Sequence, residues 1–137
     1  MPSASLIKEF EQLVGKENVF SSEADRQSYA YDAAVLKPMI PSLVVRPTEV
    51  EQLGQVVKRC YEEGIPMTVR GSGTNLTGGT IPDCSDTIVI LTTALNRILE
   101  INTEDLYAIV GARRHHRSHG RQDRFHGPLL SPIRAPS

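Results

Sequence analysis

The sequence predicts an α+β fold, and three observations carry that prediction. A capped amphipathic helix lies between two short β-branched runs, which is the pattern of a βαβ unit. A glycine-rich stretch comes directly after the second run, and two further strand-like runs separated by a polar turn come after it. The chain has 137 residues, 39% of them apolar and 23% charged, so one domain with a modest core is the expectation.

The first element is a helix. Leu6, Ile7, Phe10, Leu13 and Val14 recur at helical spacing, Ser3 or Ser5 caps the start, and Gly15 stands just past the end. Residues 16–41 are irregular; they hold the dense Tyr29-Ala30-Tyr31-Asp32 patch, and Pro38 and Pro41 favour extended backbone. Ser42–Arg46 reads as a strand closed by Pro47. Thr48 and Glu51 form a T-x-x-E capping box, after which Val50, Leu53, Val57, Cys60 and Tyr61 make an apolar stripe with Val56 on its flank. Gly64 and Pro66 end that helix, and Pro66–Arg70 is the second strand, parallel to the first. Thr87–Thr92 is a continuous apolar and β-branched run suited to a strand buried on both faces. Leu95–Ile101 and Leu106–Val110 are two more strand-like runs, separated by the turn-forming residues Asn102–Asp105.

Three segments are expected: an N-terminal helix and linker over 1–24, the main α+β unit over 25–112, and a basic tail over 113–137. Residues 1–112 carry nine Lys and Arg against fifteen Asp and Glu, a net −6. Residues 113–137 carry six Arg, no Lys, one acid (Asp123) and all four His, a net +5. Five Gly and Pro positions and no apolar period make that tail a segment expected to stay disordered and open to proteases. No apolar run is long enough to span a membrane, and the N-terminus lacks the order of a signal peptide, so a cytoplasmic location is expected. The tail has no aromatic interleaving beyond Phe125, which argues against nucleic acid. His116 and His119 lack a carboxylate or Cys partner, and Cys60 and Cys84 are isolated, so no metal site is expected.

The chemistry is concentrated in Arg70-Gly71-Ser72-Gly73-Thr74-Asn75-Leu76-Thr77-Gly78-Gly79. Glycines admit positive φ and close approach to the main chain, and successive N–H groups of such a loop converge on anions. Two familiar phosphate motifs fail against the letters. A P-loop needs Lys where Gly79 stands, and a Rossmann fingerprint needs Gly where Leu76 stands and a helix that is missing after it. A Gly/Ser/Thr surface turn is the plain alternative, and so is a non-catalytic anion- or nucleotide-binding module whose basic tail recruits an acidic partner.

The run from Tyr31-Asp32 through Pro41–Pro47 and the capped helix into Pro66–Gly79 resembles the FAD-linked oxidases of the vanillyl-alcohol-oxidase and p-cresol-methylhydroxylase superfamily. Within it, the run is most similar to the glycolate-oxidase D-subunit and D-lactate-dehydrogenase group, over roughly residues 25–112. The resemblance implies the first subdomain of a PCMH-type FAD-binding fold, incomplete here. It assigns the FAD diphosphate to Arg70, Gly71, Ser72, Gly73, Thr74, Asn75, Leu76, Thr77, Gly78 and Gly79, with Pro66 shaping the entry strand. It implies a flavin-dependent oxidoreductase acting on a 2-hydroxy acid such as glycolate or D-lactate, with other oxidase subunits as partners. No catalytic residue is assigned, and this chain alone is expected to be inactive.

The resemblance also bears on the tail. Arg113–Arg117 can be encoded so that reading one base later gives Gly-Val-Ile-Thr. His126–Pro132 can be encoded so that the same shift gives Met-Gly-Leu-Phe-Tyr-Pro, close to what the family carries there. The tail therefore reads as an out-of-frame translation.

Overall fold

The computed structural model describes residues 2–111; the 113–137 tail and its proposed frame change lie outside the described residues. The elements run α1 (Ala4–Val14), β1 (Val19–Phe20), α2 (Glu23–Gln27), β2 (Leu43–Val45), α3 (Val50–Glu62), β3 (Met67–Arg70), β4 (Ile88–Leu91), β5 (Ile98–Asn102) and β6 (Tyr107–Val110). The first four strands form one sheet in the order β1-β2-β4-β3. β2 and β3 both pair with β4 in parallel, so β4 lies between the two strands that α3 connects. β1 adds antiparallel to the edge of β2. β5 and β6 form a separate antiparallel hairpin.

Strand alternation divides the core into two layers. Leu43, Val45, Ile88 and Ile90 face α1 and α3, where Leu6, Phe10, Val14, Val56 and Cys60 close over them. Helix α1 thus belongs to the same core as the sheet. Val44, Val89 and Leu91 point to the opposite face and pack with Phe20 and Tyr29. Every residue of β4 is buried, as a central parallel strand requires.

Two expectations about α3 are corrected. The helix starts one residue late, with Glu49 at the N-cap in place of Thr48. Gln52 Oε1 accepts from the Thr48 N–H (2.9 Å), the Thr48 hydroxyl (3.0 Å) and the Glu49 N–H (3.3 Å), so Gln52 takes the part expected of Glu51. The buried face is also rotated. Val56 and Cys60 are fully buried, whereas Val57 is 37% exposed and Tyr61 80% exposed. Two apolar residues in succession leave the phase of a helix open, and contact with Leu43, Val45 and Ile88 selects Val56. In the irregular stretch, β1 and α2 are new; α2 is capped by Ser22, whose hydroxyl accepts from the Asp25 N–H. The fifth strand begins at Ile98, later than Leu95, because Thr92–Ala94 form a 3-10 turn.

Candidate functional site

The glycine-rich loop leaves the C-terminal end of β3, an end at which ligands of open parallel sheets are bound. Two of its residues, Gly73 (φ +71°) and Gly78 (φ +76°), adopt the left-handed backbone that other residues resist. Neither has room for a side chain: a Cβ on Gly73 would overlap the Arg70 guanidinium, and one on Gly78 would overlap Leu36. Gly71, by contrast, has no atom within 4 Å of where a Cβ would stand. Ser72, Thr74, Leu76, Thr77 and Gly79 are exposed, as is Pro66 at the start of the strand.

Among the described residues, no protein oxygen accepts from the backbone N–H groups of residues 72–79. That leaves a run of open main-chain donors flanked by the hydroxyls of Ser72, Thr74 and Thr77. Such a donor set suits an anion carrying several acceptor oxygens, as a diphosphate does. The open space at Gly71 is compatible with close ligand approach. The residues present therefore fit the diphosphate of a dinucleotide.

Arg70 occupies a different place from its loop neighbours. It is 7% exposed, its Nη1 donates to the Tyr31 carbonyl at 2.7 Å, and its guanidinium lies 5.8 Å from the centre of the Tyr29 ring. No ion pair involves it among the described residues, so its charge underlies the loop uncancelled by a carboxylate contact. The β3 backbone beneath it is tied inward: the Thr92 hydroxyl donates to the Arg70 carbonyl (3.4 Å), and the Thr68 hydroxyl to the Gly79 carbonyl (3.2 Å).

Sequence reasoning gave no role to the segment that crosses this loop. Residues 29–36 bring Tyr31, Asp32 and Leu36 against Arg70, Thr80 and Gly78. Its sequence signals were the density of Tyr29-Ala30-Tyr31-Asp32, which has no helical or alternating period, and the place of Tyr31-Asp32 at the start of the run that resembles the family. Elsewhere, α1 and α3 enclose an open groove of about 420 Å³ lined by Phe10, Leu13, Gln55 and Arg59 among others. That groove shares no residue with the glycine loop. Among the described residues, no group of three or more His, Cys, Asp or Glu is placed to hold a metal, and no helix is long and apolar enough to cross a membrane.

Comparison with known proteins agrees with this geometry. Glycolate oxidase subunit GlcD of Bacillus subtilis is 39% identical over 99 residues, covering 72% of this chain and 21% of that protein. D-lactate dehydrogenase of Archaeoglobus fulgidus is 34% identical over 70 residues, covering 51% of this chain and 15% of that protein. The crystal structure of p-cresol methylhydroxylase with substrate bound superposes with a TM-score of 0.69 at 28% identity, covering 77% of this chain and 21% of that one. The chain thus spans about a fifth of the length of such relatives. Residues 41–112 match the FAD binding domain family, a span that takes in β2 to β6 and the whole glycine loop. With its parallel strands, its loop of open N–H donors and these relatives all in agreement, the chain belongs to the FAD binding domain family of FAD-linked oxidoreductases.

Proposed function

We propose that this chain is the FAD-diphosphate-binding part of a flavin-dependent oxidoreductase acting on a 2-hydroxy acid of the glycolate or D-lactate kind. The observation that carries the reading is the loop at the end of β3, where Gly73 and Gly78 hold positive φ and residues 72–79 keep their N–H groups open. In this reading the main chain of Gly71–Gly79, Leu76 included, binds the diphosphate, Ser72, Thr74 and Thr77 add neutral donors, and Asn75 Oδ1 meets the Thr80 hydroxyl at 3.1 Å. Pro66 starts the strand that aims the loop, its carbonyl accepting from the Ile88 N–H at 2.9 Å. Arg70 contributes its charge from beneath, and its side chain fixes the loop's base.

Held by these residues, FAD would supply hydride-acceptor chemistry toward the carbon that bears a substrate's hydroxyl. No residue of 2–111 is assigned to that step; this part of the chain binds and orients. The similarity to glycolate oxidase and D-lactate dehydrogenase supports a small 2-hydroxy acid as substrate and further oxidase subunits as partners. We place the protein in the cytoplasm and read 113–137 as an out-of-frame tail; the family match ending at residue 112 supports the latter.

Titration of the purified chain with FAD, monitored by quenching of flavin fluorescence, tests the reading. Weak but saturable binding, tighter than that of inorganic pyrophosphate measured by competition, is the expected result. Equal affinity for the two would point to a small-anion module and overturn it.

A further inference from the structure

Thr80 stands where the crossing segment and the glycine loop meet. Its Oγ1 lies 3.2 Å from Asp32 Oδ2 and 3.1 Å from Asn75 Oδ1, and Arg70 Nη1 approaches it at 3.4 Å. A hydroxyl has one proton, so Thr80 donates to Asp32 or to Asn75 but not to both at once. Asp32 is itself fixed, because its Oδ1 accepts from the Ala34 N–H at 2.7 Å. The same segment gives its Tyr31 carbonyl to Arg70 and lays Leu36 over Gly78, so it grips the loop at both ends.

We propose that Asp32 and Thr80 are positioning residues for the diphosphate cradle: their hydrogen bond seats segment 29–36 across the loop and holds the loop in its binding shape. The proposal rests on the FAD reading above and adds residues that lie outside the glycine motif. The chemistry of the pair makes it discriminating. A carboxylate beside an anion site repels the anion, so a purely electrostatic Asp32 would weaken FAD and its removal would strengthen binding. A seating Asp32 does the opposite, because the acceptor matters and the charge does not.

The test uses the whole chain in two measurements. In FAD titrations, Thr80→Val should weaken binding about three- to tenfold, the worth of one hydrogen bond, and Asp32→Ala, which also frees the Ala34 N–H, at least as much, with both variants still folded by thermal melt. Thr80→Ser, which keeps the hydroxyl, should restore wild-type affinity, and Asp32→Asn, which keeps an acceptor, should bind at least as well as wild type. Tighter binding by Asp32→Ala, or failure of Thr80→Ser to rescue, would overturn the proposal. Hydrogen exchange of the ligand-free chain supplies the second measurement. Thr80→Val should speed exchange at the Ala34, Met39 and Ile81 amides, which have protein acceptors on either side of the contact, and Thr80→Ser should not. Unchanged exchange at these amides would overturn the seating role even with FAD affinity lost. A wild-type chain that fails to bind FAD would instead fell the FAD reading, and exchange alone would then decide the clasp.

Discussion

The guanidinium of Arg70 donates to the Tyr31 carbonyl at 2.7 Å and occupies the space a side chain on Gly73 would need. One buried cation therefore sets both the position of the crossing segment and the residue type at the third position of the loop proper. The loop and residues 29–36 form a unit through this contact, although its two ends lie 39 positions apart in sequence.

The first prediction separates folding from binding within the loop. Gly73→Val meets both a φ of +71° and the Arg70 side chain, so it should lose about 1–3 kcal/mol of stability together with FAD binding. Gly71→Ala enters open space and should leave the melting temperature unchanged. If FAD approaches the main chain there, Gly71→Ala still weakens it. Thermal melts and flavin titration of both variants check this; wild-type affinity in Gly71→Ala would place the diphosphate away from Gly71.

The second prediction concerns α3. Val56 is fully buried against the sheet, so Val56→Ala should cost about 1–3 kcal/mol through lost contacts and a residual cavity. Val57, one residue on, is 37% exposed, and Val57→Ala should change stability by no more than about 0.5 kcal/mol. Urea unfolding of the pair measures the difference. Equal losses would mean that the helix faces the sheet with its other edge.

Much of this fold was legible because its signals are local. Ser3, Gly15, Gly64 and the all-apolar Ile88–Leu91 mark their elements within a few residues, and the glycine loop is contiguous in sequence. What escaped depends on distance or on short length. β1 has two residues and α2 five, too few for any period to register. The insertion of β4 between β2 and β3 is a long-range pairing that no single segment encodes. The Asp32–Thr80 contact joins residues 48 positions apart, so nothing local to either residue marks it. The phase of α3 was decided by the sheet, not by the helix.

The third prediction concerns Cys60. Burial raises its thiol pKa from 9.0 to about 11, while Cys84 is exposed. An acid whose folded pKa is raised binds its proton more tightly when folded, so the contribution is fully present below pH 9. Between pH 9 and 11 the unfolded thiol ionises first and stability falls, by up to about 2 kcal/mol. Wild type should therefore lose more stability than Cys60→Ala over that window, measured by urea titration at each pH. At pH 8, iodoacetamide should label Cys84 in the native chain and reach Cys60 only after denaturation.

The last prediction concerns the basic stretch C-terminal to the FAD-binding segment. Residues 113–137 carry a net +5, no Lys and no apolar period, whereas residues 1–112 carry a net −6. A segment of that composition buries too little apolar surface to offset the entropy of ordering it. Deleting 113–137 should therefore leave the melting temperature unchanged, and a drop of several degrees would show that the tail supports the fold. The frame reading makes a separate demand on the DNA. One base beyond codon 112, the sequence should read Gly-Val-Ile-Thr and stay open into a downstream segment that supplies most of the length of the relatives, of which this chain covers about a fifth. Expressed in that register, the product should be yellow and oxidise a 2-hydroxy acid. A stop codon soon after the shift would end the frame reading and leave the diphosphate cradle as a separate question.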